Sequence, residues 1–334
     1  MAALVHGGDL TAARARWPGA AEPLIDLSTG LNPWPYPLPP LDPAVYARLP
    51  GAEVAETCLE SVAQYLGLDD PDTIALVPGS QAAITRLPTL LEAPSVAVAE
   101  PAYEEHRHSW AAAGRAVGTI TRDELDAAPH AAIVLVNPGN PDGAATDRDT
   151  VLAAAERLGA QGGWLIVDEA FADVAADVSV AGHGGMSGLI VLRSFGKFFG
   201  LAGLRFGAVV APRDVAARVR AAFGPWAVSG PALAIAGQAY RDRPWQGETR
   251  ARLTRAATRL RAMLADAGLT SVGGTDLFQT AAHDRAAVLF DALGKAGLYV
   301  RHFPNRPTWL RFGLPPDDAA WSRLATVLNQ WMDP

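Results

Sequence analysis

Lys197 is one of only two lysines among the 28 basic residues of this 334-residue chain. It lies inside the run from Ser194 to Gly207, SFGKFFGLAGLRFG, an odd setting for a solubilising charge. Burial disfavours an ammonium group, and a neutral amine can condense with an aldehyde to form a Schiff base. Taken alone, the lysine could equally be the structural partner of a nearby acid. Other clusters bear on the choice. Gly79, Ser80 and Gln81 follow an apolar run and open a helical pattern, so their N–H groups and the serine hydroxyl can receive a phosphate or form an ordinary helix cap. The segment NPGNPDG at 137–143 follows the run IVLV. Its two Asn-Pro steps signal a turn, and Asn140 can also donate to a phenolic oxygen. Asp168 ends the run WLIV, where a carboxylate can keep a pyridine nitrogen protonated or cap the next turn. Ser194 and Arg205 flank Lys197 and can both reach an anion beside it, although Arg205 could also be a structural ion pair.

The elements that must carry these residues alternate. Apolar runs at 73–77, 95–99, 116–120, 132–136, 164–168, 189–192 and 206–211 predict strands. Between them, helices are predicted over 52–66, from 78–81 to about 91, over 103–113 and over 146–158. The alternation predicts an α/β fold with a large, doubly wound, mostly parallel sheet. Ligands of such sheets bind beyond the carboxyl ends of the strands, where the clusters fall. After about 226 the pattern changes to a long Arg-rich helix, short strands near 270–272, 298–301 and 309–312, and a terminal helix over 317–331. This predicts a smaller α+β domain. Residues 1–45 carry eight prolines between Pro18 and Pro43 and are expected to be an arm that wraps another surface. The expected organisation is thus an arm at 1–45, a large domain at 46–225 and a small domain at 226–334.

Composition narrows the classes of function. A formal charge of −7, with 49% hydrophobic and 19% charged residues, describes an ordinary globular enzyme and does not favour nucleic acid or anionic membranes. The seven arginines from Arg241 to Arg261 are mixed with acids and an apolar stripe, as on a solvated helix face. The single cysteine, Cys58, excludes an intrachain disulfide, and no Cys/His cluster has metal-ligand spacing. The opening lacks the basic and apolar regions of a secretion signal, and no apolar run is long enough to span a membrane. A cytoplasmic chain without a metal is expected.

Together the clusters resemble the fold-type I pyridoxal-phosphate enzymes of the class I and II aminotransferase group, over nearly the whole chain. The resemblance implies pyridoxal 5'-phosphate as cofactor, with Lys197 as its Schiff-base lysine. It places Asn140 on the cofactor's 3' oxygen, Asp168 on the pyridine nitrogen and Arg205, Ser194 and the Gly79-Ser80-Gln81 turn on the phosphate. Tyr103, in EPAY, would stack on the ring, and Arg311, in WLRFG, would clamp a substrate α-carboxylate in a bidentate pair.

Three features resemble one branch of that group, the threonine-phosphate decarboxylases of cobalamin biosynthesis. These are the opening HGGD at 6–9 followed by IDLSTGLNP at 25–33, the DEAF at 168–171 where most relatives read DEAY, and the lysine run itself. The resemblance implies a homodimer acting on a small phosphorylated amino acid, with His6 and Asn32 near that substrate. The implied reaction converts L-threonine O-3-phosphate to (R)-1-amino-2-propanol O-2-phosphate. An aminotransferase of the histidinol-phosphate or aromatic type is the alternative, and Arg311 serves either chemistry. Leu49-Pro50 stands where many relatives carry a Tyr-Pro that reaches the partner's cofactor.

Overall fold

A computed structural model describes residues 7–332. The strands are β1 (Ile25–Leu27), β2 (Ile74–Val77), β3 (Ser95–Ala99), β4 (Ala116–Ile120), β5 (Ala132–Val136), β6 (Trp164–Asp168), β7 (Leu189–Ser194), β8 (Gly207–Val210), β9 (Thr270–Thr275), β10 (Phe278–Ala282), β11 (Leu298–Phe303) and β12 (Arg306–Gly313). The chain forms two compact units. The larger comprises 35–140 and 144–246, and the smaller comprises 1–34, 141–143 and 247–334.

In the larger unit seven strands lie in the order β2-β8-β7-β6-β5-β3-β4. All neighbours are parallel except β8, which runs antiparallel to both β2 and β7. Two reversals restore direction, so β2 ends at the same edge as β7. The interior strand β5, AIVLV, is buried at every position, as its unbroken apolar run requires of a strand covered on both faces. Ala83, Ile84 and Leu87 of the helix Ser80–Leu90, Trp110 of Glu104–Ala112, and Val215 and Val219 of Arg213–Phe223 share one core with the sheet. Edge carbonyls and side chains of β2, β5, β6 and β7 therefore converge on one rim.

The loop after β7 is backed by aromatic rings. Phe195 stacks on Phe199 with centroids 4.4 Å apart, and Phe199 stacks on Trp245 at 5.7 Å. Tyr36 donates its backbone N–H to the Phe199 carbonyl at 2.9 Å and packs edge-on to Trp245 at 5.0 Å. Lys197 is thus carried on a loop whose neighbours at 195, 198 and 199 are fully buried. Pairs of this kind contribute about 1 kcal/mol each beyond the area they bury.

The smaller unit holds the sheet β1-β11-β12-β10-β9, with β1 parallel to β11 and the other pairs antiparallel. Two expectations are corrected here. Residues 10–16 form a helix, begun by Asp9, whose carboxylate accepts the Ala12 N–H at 2.9 Å. Residues 25–27 form β1, whose pairing to β11 spans most of the chain and leaves no local trace. The proline-rich stretch is accordingly divided between the units after Trp34, instead of forming one arm at 1–45. The later boundary falls after Gln246, not at 225, because the helix Gly230–Arg241 packs on the helix Ala52–Leu66. Gly237 permits that approach, since a Cβ there would stand 3.3 Å from the Cys58 Cα.

Candidate active site

The rim of the larger unit brings together most of the residues singled out from sequence. Two residues after β2 comes Gly79, the N-cap of the next helix, whose φ of +85° is open to glycine at little cost. An added Cβ would meet the Arg205 guanidinium at 2.7 Å. No side chain caps the helix that starts at Ser80. Its first N–H groups and its dipole therefore face the place where Arg205 brings positive charge. Arg205 itself has φ 54°, left-handed for a residue with a Cβ, a conformation that costs about 1 kcal/mol. It closes the turn after Lys197 by donating to the Ala202 carbonyl at 3.1 Å. Ser194 lies opposite Gly207 in the β7–β8 ladder, so Ser194, Gly79 and Ser80 share one neighbourhood: a Cβ on Gly207 would stand 2.7 Å from the Ser80 N.

Asp168 ends β6 and is buried. One carboxylate oxygen accepts the Ala170 N–H at 3.1 Å, and the other lies 2.8 Å from His106 Nε2. With a carboxylate at 168, His106 Nε2 is the donor. His106 sits one turn into the helix begun by Tyr103, and the two rings meet edge to face with centroids 6.2 Å apart. The Tyr103 hydroxyl donates to Gln81 Oε1 at 3.0 Å, and Gln81 Nε2 donates to Glu105 at 3.2 Å. Lys197 Nζ stands 5.5 Å from the centre of the Phe171 ring, within cation–π range.

Behind the rim lies a buried ionic network. Arg193 donates to Glu169 at 2.7 Å and to Asp173, and Tyr65 donates to Asp173 at 2.7 Å. Glu169 also accepts the Ser179 hydroxyl and the Val180 N–H, both at 2.6 Å. Burial works against the Arg193 charge, but the Asp173 and Glu169 carboxylates outweigh it and raise its pKa above the ordinary value. Because Glu169 follows Asp168 and Arg193 precedes Ser194, this network ties the ends of β6 and β7. Asn137, also buried, closes the 137–146 loop by bonding the Thr146 carbonyl and N–H, each at 2.9 Å. Asn140 is the last residue of the larger unit before the chain passes to 141–143 of the smaller unit.

The other expected residues lie in the smaller unit. Arg311, buried in β12, donates to the Ser28 carbonyl at 2.7 Å and lies over the Phe278 ring at 5.1 Å. Arg301 of β11 is its direct cross-strand partner. Asn32, also buried, accepts the Trp34 N–H at 2.9 Å. His6 falls outside the described residues. The two glycines after it are held in place: a Cβ on Gly7 would collide with the Ser28 carbonyl at 2.7 Å, and Gly8 has φ +89° while donating to the Ser28 hydroxyl at 2.8 Å. They therefore set Gly7 and Gly8 against the end of β1.

Residues 42–328 match the family profile described as aminotransferase class I and II. The chain belongs to this family. Among curated relatives, this family member is 44% identical to a threonine-phosphate decarboxylase of Sinorhizobium sp, covering 98% of each chain. It is 40% identical to a threonine-phosphate decarboxylase of Pseudomonas aeruginosa, covering 99% of each. Among solved structures it superposes on the histidinol-phosphate aminotransferase of Sinorhizobium meliloti in complex with pyridoxal-5'-phosphate, with TM-score 0.79, 19% identity and coverage of 99% and 96%. Among the described residues of this aminotransferase-family chain, no cluster could hold a metal ion and no helix is long and apolar enough to cross a membrane.

His106, Arg193 and Arg301 are not marked by the sequence motifs. His106 has no motif of its own, and its partner is 62 positions away. For Arg193 the adjacency to Ser194 is a usable signal, since a charged residue inside an otherwise apolar strand must find partners.

Proposed function

We propose that this chain is a cytoplasmic, pyridoxal-phosphate-dependent lyase that converts L-threonine O-3-phosphate to (R)-1-amino-2-propanol O-2-phosphate and CO2. The observation that carries the reading is the 44% and 40% identity to two threonine-phosphate decarboxylases across essentially their full lengths. The larger unit fits the cofactor on its own evidence. Gly79 leaves a cradle that a Cβ would fill beside Arg205, an uncapped helix start faces it, and a buried carboxylate with a fixed partner stands at 168.

When bound, pyridoxal phosphate supplies an electron-withdrawing ring that accepts the electron pair left as the carboxylate departs. The chain's residues supply the rest. Gly79, Ser80, Gln81, Ser194 and Arg205 hold the phosphate through backbone N–H groups, hydroxyls and a guanidinium. Asp168, held by His106, keeps the ring nitrogen protonated, and Asn140 donates to the 3' oxygen. Tyr103 covers the ring face. Lys197 Nζ attaches the cofactor and returns a proton to the substrate Cα, which replaces the lost carboxylate. Arg311 would bind the substrate carboxylate through charge-assisted hydrogen bonds and so fix its orientation. Arg301, on the same face as Arg311, adds positive charge suited to a substrate with both carboxylate and phosphate, together with Asn32 and His6.

Incubation with threonine phosphate tests the reading. Stoichiometric CO2 without any keto acid is expected, whereas turnover only when 2-oxoglutarate is supplied would make the chain an aminotransferase. The chain is further proposed to be a homodimer. Leu38, Tyr46, Leu49 and Trp226 are large apolar side chains left exposed on the larger unit, and Gly230 lies against Val45, which draws the segments around 46 and 226 together. Sedimentation of Tyr46→Asp and Trp226→Asp variants tests this; unchanged dimers in both would exclude that surface.

A further inference from the structure

We propose that Gln81 and Glu105 are positioning residues that set the tilt of the Tyr103 ring; this rests on the reading that pyridoxal phosphate binds beneath that ring. Glu105 sets the polarity of the bonds. An ionised carboxylate can only accept hydrogen bonds, so the Gln81 side chain must turn its NH2 toward it, at 3.2 Å. That choice leaves Gln81 Oε1 on the other side, where it accepts the Tyr103 hydroxyl at 3.0 Å. The far end of the phenol is thereby anchored to the first turn of the helix Ser80–Leu90. Its near end is anchored by the backbone at the start of the helix Glu104–Ala112. The ring's edge-to-face contact with His106, at 6.2 Å and 87°, restricts rotation about the remaining axis. A ring held at both ends and along one edge has one orientation available without breaking a bond. The same series of contacts links the phosphate turn to His106 and so to Asp168.

The arrangement gives Gln81 two separable jobs: its backbone N–H belongs to the helix start, and its side chain belongs to Tyr103. It also makes Glu105 an acceptor for Gln81, a role in which an amide oxygen can stand in for the carboxylate although it no longer forces the polarity. The Glu105→Gln variant can still accept the Gln81 NH2 through its amide oxygen, whereas Glu105→Ala cannot.

The test uses the full-length apoprotein titrated with pyridoxal phosphate. Affinity is read from fluorescence quenching, and ring orientation from the visible circular dichroism of the bound cofactor. Gln81→Ala and Glu105→Ala are expected to weaken binding roughly three- to tenfold, the loss of one hydrogen bond, and to reduce the dichroic band. Glu105→Gln should restore both towards wild type. Tyr103→Phe keeps the ring and removes only the linking oxygen, so it should match Gln81→Ala without endangering the fold. The double variant Gln81→Ala/Tyr103→Phe should bind no more weakly than Tyr103→Phe alone. Unchanged affinity and dichroism in Gln81→Ala, or additive losses in the double variant, would overturn this inference while leaving the functional reading intact. A wild-type protein that takes up no pyridoxal phosphate would overturn both.

Discussion

The larger unit places its polar groups at the ends of strands, and the smaller unit places them in the middle of strands. Asp168 and Ser194 close β6 and β7, and Gly79 lies two residues beyond β2; their partners are acids, bases and backbone of the same rim. Arg301 and Arg311 instead stand opposite one another within a ladder, with Arg311 resting on a carbonyl and aromatic faces. The difference separates two tasks. Strand ends converge on one point, which suits a single rigid cofactor; paired mid-strand arginines accumulate one sign of charge, which suits recognition of an anionic substrate.

The largest expected effect is at the rim. Lys197→Ala should abolish the visible absorption band of the cofactor-loaded protein and lower turnover by about 10^4-fold or more, measured by spectrum and CO2 release. A residual band at the wild-type wavelength would place the attachment elsewhere. Arg193→Met probes the lock behind the rim. It leaves the Glu169 and Asp173 carboxylates buried without their partner and should cost about 3–5 kcal/mol of stability, read from the denaturant midpoint. A loss below about 1 kcal/mol, the size of an exposed pair, would mean that the network is not what holds β6 and β7 in register.

Arg311→Ala should separate the two units' tasks. KM for threonine phosphate is expected to rise roughly 10- to 100-fold, the loss of charge-assisted hydrogen bonds, while the cofactor's spectrum and affinity stay at wild-type values. Loss of cofactor from this variant would collapse the distinction. The smallest effect is a pH dependence confined to the larger unit. Burial pushes the Cys58 thiol up to about 12, so the folded state keeps a proton that the unfolded state releases from about pH 8.5. That contribution is complete below the unfolded pKa and is lost as pH rises towards 12. Cys58→Ala should therefore flatten the decline of stability above about pH 9 in denaturant titrations, and an unchanged slope would assign the decline to other groups.

The same contrast explains what can be read from sequence. Strands β3 to β6 match their expected bounds to the residue; for β3, β5 and β6 the reason is that long apolar runs bounded by turns belong to buried parallel strands, whereas β4 is a largely unburied edge strand. The residues proposed to hold the cofactor stand out for the related reason that a strand end is marked locally by Gly, Asn or Asp. β10 carries no such mark: FQTAA has neither alternation nor β-branched density, and pairing on both sides fixes it. The helix Ala286–Lys295 beyond it is equally absent from the expected elements. The pairing of Arg301 with Arg311 depends on register across a hairpin, and that of His106 with Asp168 on which strands become neighbours. Neither leaves a mark within a short window. Gln81 falls at the expected helix start, but its side chain's bond to Tyr103 crosses from one helix to another.

The path of the chain between the units carries a further consequence. It passes from one to the other at 34/35, 140/141, 143/144 and 246/247, and the three residues 141–143 are bound into the smaller unit, where the Pro141 carbonyl accepts the Thr280 hydroxyl and Gly143 abuts Gly274. Neither unit is a cassette. A chimera that exchanged the C-terminal part with that of a relative would inherit a foreign β9 and β10 against a native Pro-Asp-Gly, so recombination between family members should succeed only when the tripeptide travels with the strands it touches.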